Sequence, residues 1–323
     1  MFPYNLYTKQ AMHLINDLVI MKSFPDFHAP CFDIAAYNKT FEKKNVIIHA
    51  TARDVSYAEH WGPLSIKCVM KGIEHYQCNS RFYSVDSDNY LIFNDGQYYS
   101  SHIYSKTETE SFTINFSVGF LREVLQGYES NLNDIGDQKG FEFIEKLYRH
   151  DSITTPLLRK LYYASVTANP DVHLITENYY SLLENLLDQQ RILKNEISKV
   201  KAIKSSTRVE LYKRLNYAKD FIHSCYMKEI SLNNLAAVAC MNKAYFLREF
   251  KKYFGLSPRQ YIIQQRLSIA KKLMQTTSLS ITEICFEVGY SDVTSFGKLF
   301  KKYFFHAPAA FRLNTMKKSF FTC

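Results

Sequence analysis

The last third of the chain contains one segment twice, and no other feature restricts the fold so tightly. Ser231-Leu232-Asn233-Asn234-Leu235-Ala236 corresponds to Ser280-Ile281-Thr282-Glu283-Ile284-Cys285 at an offset of 49, and Asn242 falls on Ser291 at the same offset. After one inserted residue the offset is 50: Phe246-Leu247-Arg248-Glu249-Phe250-Lys251-Lys252-Tyr253-Phe254 matches Phe296-Gly297-Lys298-Leu299-Phe300-Lys301-Lys302-Tyr303-Phe304, with Pro258 over Pro308. A repeat of this length is one supersecondary unit made twice. Each copy reads as a helix, a tight turn and a second helix. Ser231 and Ser280 are N-cap residues, and Ser280 with Glu283 forms a capping box. Turns are expected at Ala239-Cys240-Met241 and Val288-Gly289-Tyr290, after which Asn242 or Ser291 caps the second helix. On that helix Phe246, Phe250 and Phe254, or Phe296, Phe300 and Phe304, share one face and belong to the core.

The opposite faces carry Lys243, Ala244, Leu247, Arg248 and Lys251 in the first copy, and Val293, Thr294, Gly297, Lys298 and Lys301 in the second. This is the pattern of a helix-turn-helix, whose second helix enters the major groove of DNA. Lysines there neutralise phosphates, whereas a bidentate arginine or a hydroxyl reads a base. The set expected at double-stranded DNA is Asn242, Lys243, Ala244, Leu247, Arg248, Lys251, Ser291, Asp292, Val293, Thr294, Lys298 and Lys301. The other reading, a helical bundle whose lysines only solvate its surface, suits one copy better than two. Between the copies, Ser257 caps and Pro258 begins a helix reaching about Met274. Its length, about 25 Å, places the two recognition helices roughly one DNA turn, about 34 Å, apart.

Charge divides along the same line. Residues 207–323 hold 19 Lys and Arg against 7 Asp and Glu, a net of +12, while residues 1–206 hold 21 against 24, a net of −3. A basic domain behind a slightly acidic one implies a polyanion-binding unit joined to a unit with another task.

The first 120 or so residues read as strands. Segments 64–70, 73–76, 81–85, 90–93 and 112–116 are rich in β-branched and aromatic residues and are separated by turn residues, which predicts antiparallel hairpins in a small barrel or sandwich. Helices are predicted at 140–148, 155–168 and 171–200. Along the last, Ile175, Tyr179, Leu182, Leu186, Leu193 and Ile197 form a narrow apolar stripe, packed on its own barrel, forming a dimer seam, or both on different faces, with Ile175, Tyr179, Leu182, Leu186 and Leu193 the candidates for the seam. The polar stretch 201–208 is the predicted linker. The fold expected is α+β: a regulatory and dimerisation domain over 1–200, with an antiparallel β-barrel to about 120 and helices over 120–200, then an all-α DNA-binding domain over 209–315 with units 231–254 and 280–304.

With 46% hydrophobic and 22% charged residues the chain can bury a core in each half. No apolar run is long enough to cross a bilayer, and residues 1–10 lack the pattern of a secretory signal, so a cytoplasmic protein is expected. The seven cysteines lack a CxxC pair and read as buried thiols. His49, His60, His75 and His102 lie on separate segments without metal-ligand spacing, and no GxxxxGK[ST] or GxSxG motif is present. No enzyme, metal or cofactor is therefore expected. An architectural DNA-packaging protein, or a cupin-type enzyme fused to a DNA-binding domain, are the alternatives.

The C-terminal part resembles the AraC/XylS transcriptional regulators. The resemblance lies in Ile230-Ser231-Leu232 with Leu235-Ala236, residues 245–252, Gly255-Leu256-Ser257-Pro258, the linker residues Tyr261, Arg266, Ala270 and Leu273, then residues 281–284, Glu287-Val288-Gly289-Tyr290-Ser291-Asp292 and residues 296–303. It implies a cupin-like barrel and a dimerisation helix ahead of the reader, a homodimer, control by a small molecule or protein partner, and recruitment or blocking of RNA polymerase. The chain departs from the family pattern at Cys240, Phe305, Ala307 and Gly297. The first unit, with Arg248, is expected to supply more base discrimination and the second to act through phosphates and shape. Tyr76, Phe82, Tyr83, Tyr90, Phe93, Tyr98 and Tyr99 are pocket candidates that alternation along strands assigns mostly to core.

Overall fold

The computed structural model describes residues 12–15, 18–27, 29–30, 32–130, 141–198 and 205–313. They form two compact units that divide between Lys213 and Arg214. The first is built on a nine-stranded sheet of order β1-β2-β3-β8-β4-β7-β9, with β5 paired to β6 and β8. Its strands are β1 (Met12–Ile15), β2 (Leu18–Met21), β3 (Asn45–Gly62), β4 (Ser65–Lys71), β5 (Glu74–Cys78), β6 (Arg81–Val85), β7 (Asn89–Phe93), β8 (Gln97–Asn115) and β9 (Leu147–Arg149). Pairing is antiparallel except between β2 and β3. The two long strands hold the sheet together. β3 lines one edge of β8, while β4 and β5 divide the other edge at 110–115 and at 100–102.

Because successive side chains of a strand point to opposite faces, β7 serves two cores at once. Tyr90 and Ile92 join one cluster with α2 (Val118–Ser130), α3 (Thr154–Val166) and α4 (Val172–Ser198), while Leu91 and Phe93 join Val69, Tyr76, Tyr83 and Tyr99 inside the folded sheet. Of the aromatic pocket candidates, Phe82 and Tyr98 are exposed and the others are core. A further helix, α1 (Ile34–Lys43), covers β2 and the start of β3 with Tyr37 and Phe41.

Two expectations are corrected here, and the covering of the α4 stripe is seen. The helix predicted over 140–148 is absent from the described part: 141–146 is irregular and β9 follows. Tertiary bonds hold this segment extended, since Asn94 exchanges two hydrogen bonds with the Phe143 backbone (2.7 and 3.0 Å), and Tyr83, Arg81 and Gln97 all donate to buried Glu145. The stripe of α4 packs on its own domain, the first of its two readings. Asp171 caps α4 as expected, Ile175, Tyr179, Leu182 and Leu186 lie within the domain's own core, and Leu193 is half-buried. Leu174 and Ile192 of the same helix are exposed. Finally, residues 205–208 are the first turn of α5 (Ser205–Cys225) rather than a linker, and 201–204 lie outside the described residues.

The second unit is helical. After α5 come α6 (Leu232–Val238), α7 (Lys243–Phe254), α8 (Pro258–Thr276), α9 (Ile281–Glu287) and α10 (Val293–Phe304). The expected units 231–254 and 280–304 are thus α6–α7 and α9–α10. α8 is their common spine. Near its start Tyr261 packs edge-on against Phe250, 5.7 Å between ring centres, and further along Leu267, Ala270 and Met274 share a core with Ile284, Val288, Phe296 and Phe300.

Replacing Leu182, fully buried in α4, with alanine is expected to cost about 2–5 kcal/mol of stability in chemical denaturation and to leave the oligomeric state by sedimentation unchanged. Dissociation without loss of stability would assign the stripe to a dimer seam.

Candidate nucleic-acid interface

The two helix-turn-helix units are built by matching local chemistry. Ser231 accepts a hydrogen bond from the Asn234 amide and Ser280 one from the Glu283 amide, each in a capping box. The bond from Ser280 holds the Glu283 carboxyl below its ordinary pKa. The turns superpose in their bonding: Met241 donates to the Ala236 carbonyl and Tyr290 to the Cys285 carbonyl, at 2.9 and 3.0 Å. Both need a left-handed residue, Cys240 at φ 51° and Gly289 at φ 80°. Cys240 is exposed, unlike the buried Cys68, Cys78 and Cys285. Cys31 and Cys323, also expected as buried thiols, lie outside the described residues.

The second helices differ at their first residue. Asn242 caps α7, accepting from the Tyr245 amide at 2.9 Å. α10 is capped by Asp292 and not by the expected Ser291: its two oxygens accept from the Thr294 and Ser295 amides at 3.2 and 2.7 Å. Ser291 is therefore the inserted residue of the second copy. Hydrogen bonds from Ser295 and Thr294 hold the Asp292 carboxyl below its ordinary pKa. The tip of α10 thus carries a negative charge where α7 carries a neutral amide, and that charge offsets the partial positive charge with which a helix N-terminus attracts phosphate.

Phe246, Phe250, Phe296 and Phe300 are fully buried. On the opposite face of α7, Asn242, Lys243, Ala244, Leu247, Arg248 and Lys251 are all exposed; beside α10, Ser291, Asp292, Thr294, Lys298 and Lys301 are exposed. Val293 is the exception, half-buried and packed on the second unit's core. A side chain on Gly297 would meet nothing within 4 Å, so this face of α10 has a gap midway. Residues that the sequence reading passed over also lie here: Lys252, Lys302 and Ser295 are exposed, and Glu249 is buried beneath Arg248. Lys252 and Lys302 were legible as part of the repeated Lys-Lys pair; nothing in the sequence marked Glu249 as buried.

One arginine holds the frame. Arg266 of α8 donates to the carbonyls of Tyr226, Lys228 and Gly289 at 2.8, 2.9 and 2.8 Å, and its guanidinium lies 5.3 Å from the centre of the Tyr290 ring. It ties the segment after α5 to the turn of the second unit. A Cβ on Gly289 would come within 2.7 Å of the Met227 carbonyl oxygen, so a glycine is required by contact as well as by φ.

His49 meets Glu110, His60 the Ala58 carbonyl, and His75 Ser84 and the stacked ring of His102. Among the described residues no group of three or more His, Cys, Asp or Glu is placed to hold a metal ion. Among them, too, no helix is long and apolar enough to cross a membrane.

A helix-turn-helix domain family model matches residues 235–314. The chain is similar to the Msm operon regulatory protein of Streptococcus mutans, 28% identical over 179 residues that cover 54% of this chain and 61% of that protein. It is similar to the C-terminal domain of the two-component response regulator YesN of Fusobacterium nucleatum, 33% identical, covering 29% of this chain and 93% of that one with a TM-score of 0.28. It is also similar to a transcriptional regulator of Chromobacterium violaceum described by its AraC-type DNA-binding domain, 26% identical, covering 32% and 93% with a TM-score of 0.31. The chain thus spans less than two thirds of the length of the streptococcal relative.

Two substitutions test the turns. Gly289→Ala is expected to lower stability by about 2 kcal/mol or more, because the left-handed backbone and the Met227 contact both resist a methyl group. Phe305, 84% exposed at φ 62° where the matching residue is Gly255, is expected to give about 1 kcal/mol of added stability when replaced by glycine. Thermal denaturation reads both.

Proposed function

We propose that this chain, whose residues 235–314 match a helix-turn-helix domain family, is a DNA-binding transcriptional regulator of the AraC/XylS type, and that α7 and α10 enter two successive major grooves of one duplex. The observation that carries this reading is the repeated pairing of a buried phenylalanine face with an exposed cationic face on the second helix of each unit. α8, 19 residues long, spans about 28 Å. That length, with the width of the flanking helices, matches the rise of one DNA turn.

In this reading Arg248 reads a base edge, with Ala244 and Leu247 offering apolar surface to thymine methyl groups. Lys243, Lys251, Lys298 and Lys301 neutralise phosphates, and Ser291 and Thr294 bring hydroxyls to the second groove. Asp292 acts by ordering the start of α10, and Val293 by anchoring it, which narrows the two roles first assigned to them. The first domain takes a small-molecule effector or a protein partner in a cupin-like barrel, and the DNA-bound chain recruits or blocks RNA polymerase as a cytoplasmic homodimer. The dimer contact then lies outside the buried stripe of α4.

Selection of binding sites from random-sequence DNA tests the reading. Arg248→Ala is expected to relax preference at one position, a loss of about 1–3 kcal/mol at the preferred base. Lys301→Ala is expected to weaken all sites alike and to lower the salt slope by about one. Equal affinity of the unmodified protein for all sequences would favour the architectural alternative, and equal losses by both variants at every sequence would contradict the division of labour.

A further inference from the structure

Glu249 lies within the recognition helix α7, yet its side chain is only 10% exposed. Its Oε1 accepts from Arg248 Nε at 3.0 Å, and Lys252 Nζ lies 4.0 Å from Oε2. Adjacent residues of a helix point about 100° apart and do not ordinarily meet. Arg248 has therefore turned along the helix to reach the carboxylate, and its Cζ rests 5.0 Å from the centre of the Tyr245 ring. The rest of the arginine stays out: its side chain is 68% exposed. Among the described residues neither Nη group makes a hydrogen bond within the chain.

The duplication supplies an internal control. At the offset of 50 the residues matching Tyr245, Arg248, Glu249 and Lys252 are Ser295, Lys298, Leu299 and Lys302. Leu299 is half-buried and packs against the second unit's core. The equivalent position of the second recognition helix is thus one that leucine fills. Burying a carboxylate costs desolvation that a similarly sized apolar residue avoids. The carboxylate stands only in the copy that carries the arginine and the tyrosine.

We infer that Glu249 is a positioning residue for base recognition: with Tyr245 it holds the Arg248 guanidinium in one plane, so that both Nη groups face outward for a bidentate contact with guanine O6 and N7. This rests on the groove reading above. A bidentate contact needs two donors in a fixed plane, and a long side chain held in that plane before binding loses less conformational freedom on contact. The second unit, with a lysine over a leucine, has a point charge with no plane to hold.

The test measures affinity of the full-length protein for its selected site, for that site changed at the base pair Arg248 reads, and for random DNA. Glu249→Leu is expected to fold with undiminished thermal stability, as its twin residue does. It is expected to reduce discrimination at that base pair on the order of tenfold, while random-DNA affinity stays level or rises because a negative charge is gone. Glu249→Gln, which keeps an acceptor oxygen, is expected to fall between the two. Adding Glu249→Leu to Arg248→Ala is expected to cost no further discrimination. Undiminished discrimination in Glu249→Leu, or a uniform loss across all three DNAs, overturns the inference. Arg248→Ala with unmodified preference would instead overturn the groove reading, and the inference with it.

Discussion

The DNA-binding half depends on Arg266. Turns outside helices leave carbonyl groups that need partners, and here three of them, on Tyr226, Lys228 and Gly289, meet in one guanidinium. Bonds from an ionised donor are stronger than neutral ones, and one planar donor cannot serve all three carbonyls unless the segment after α5, the spine α8 and the turn of the second unit keep one arrangement. The missing side chain of Gly289 permits the closeness. Tyr261 at one end of α8 and Leu267, Ala270 and Met274 further along then attach a recognition helix each. The distance between α7 and α10 becomes a property of α8.

On that frame the two copies have diverged in chemistry while keeping their backbone. The first has a neutral cap, an arginine held by a buried carboxylate and an aromatic ring, and a glycine at its left-handed terminus. The second has an ionised cap, a glycine gap on its outer face, and phenylalanine at the equivalent terminus. The glycine gap removes a contact from the second copy's outer face and Phe305 adds local strain, whereas Asp292 caps its helix with two bonds where Asn242 makes one. The aromatic core that sets the helix against its partner is the same in both.

The helix-turn-helix units were legible because caps and aromatic period are local signals that a duplicated unit shows twice. The start of α10 was read one residue early because Ser291 and Asp292 are both good caps, and only the turn bonding shows which residue is inserted. β3 and β8 were largely invisible: the middle of β8, around Lys106 and Glu108, is polar and exposed, so no alternation marks it as strand. Over 141–147 the apolar spacing suggested a helix, but hydrogen bonds from Asn94, Arg81, Tyr83 and Gln97 decide otherwise, and those residues are distant in sequence. The stripe of α4 announced a buried face without saying what covers it. Glu249 looked like one more surface charge, since burial of a single position on an amphipathic helix depends on the neighbouring helix.

The account turns on two recognition helices of one chain occupying neighbouring major grooves. Methylation interference at guanine N7, which lies in the major groove, measures this directly on a selected site. Two clusters of interfering positions on the same side of the duplex, their centres about 10 base pairs apart, are the predicted result. A single cluster that is unaffected when the exposed face of α10 is altered would contradict it.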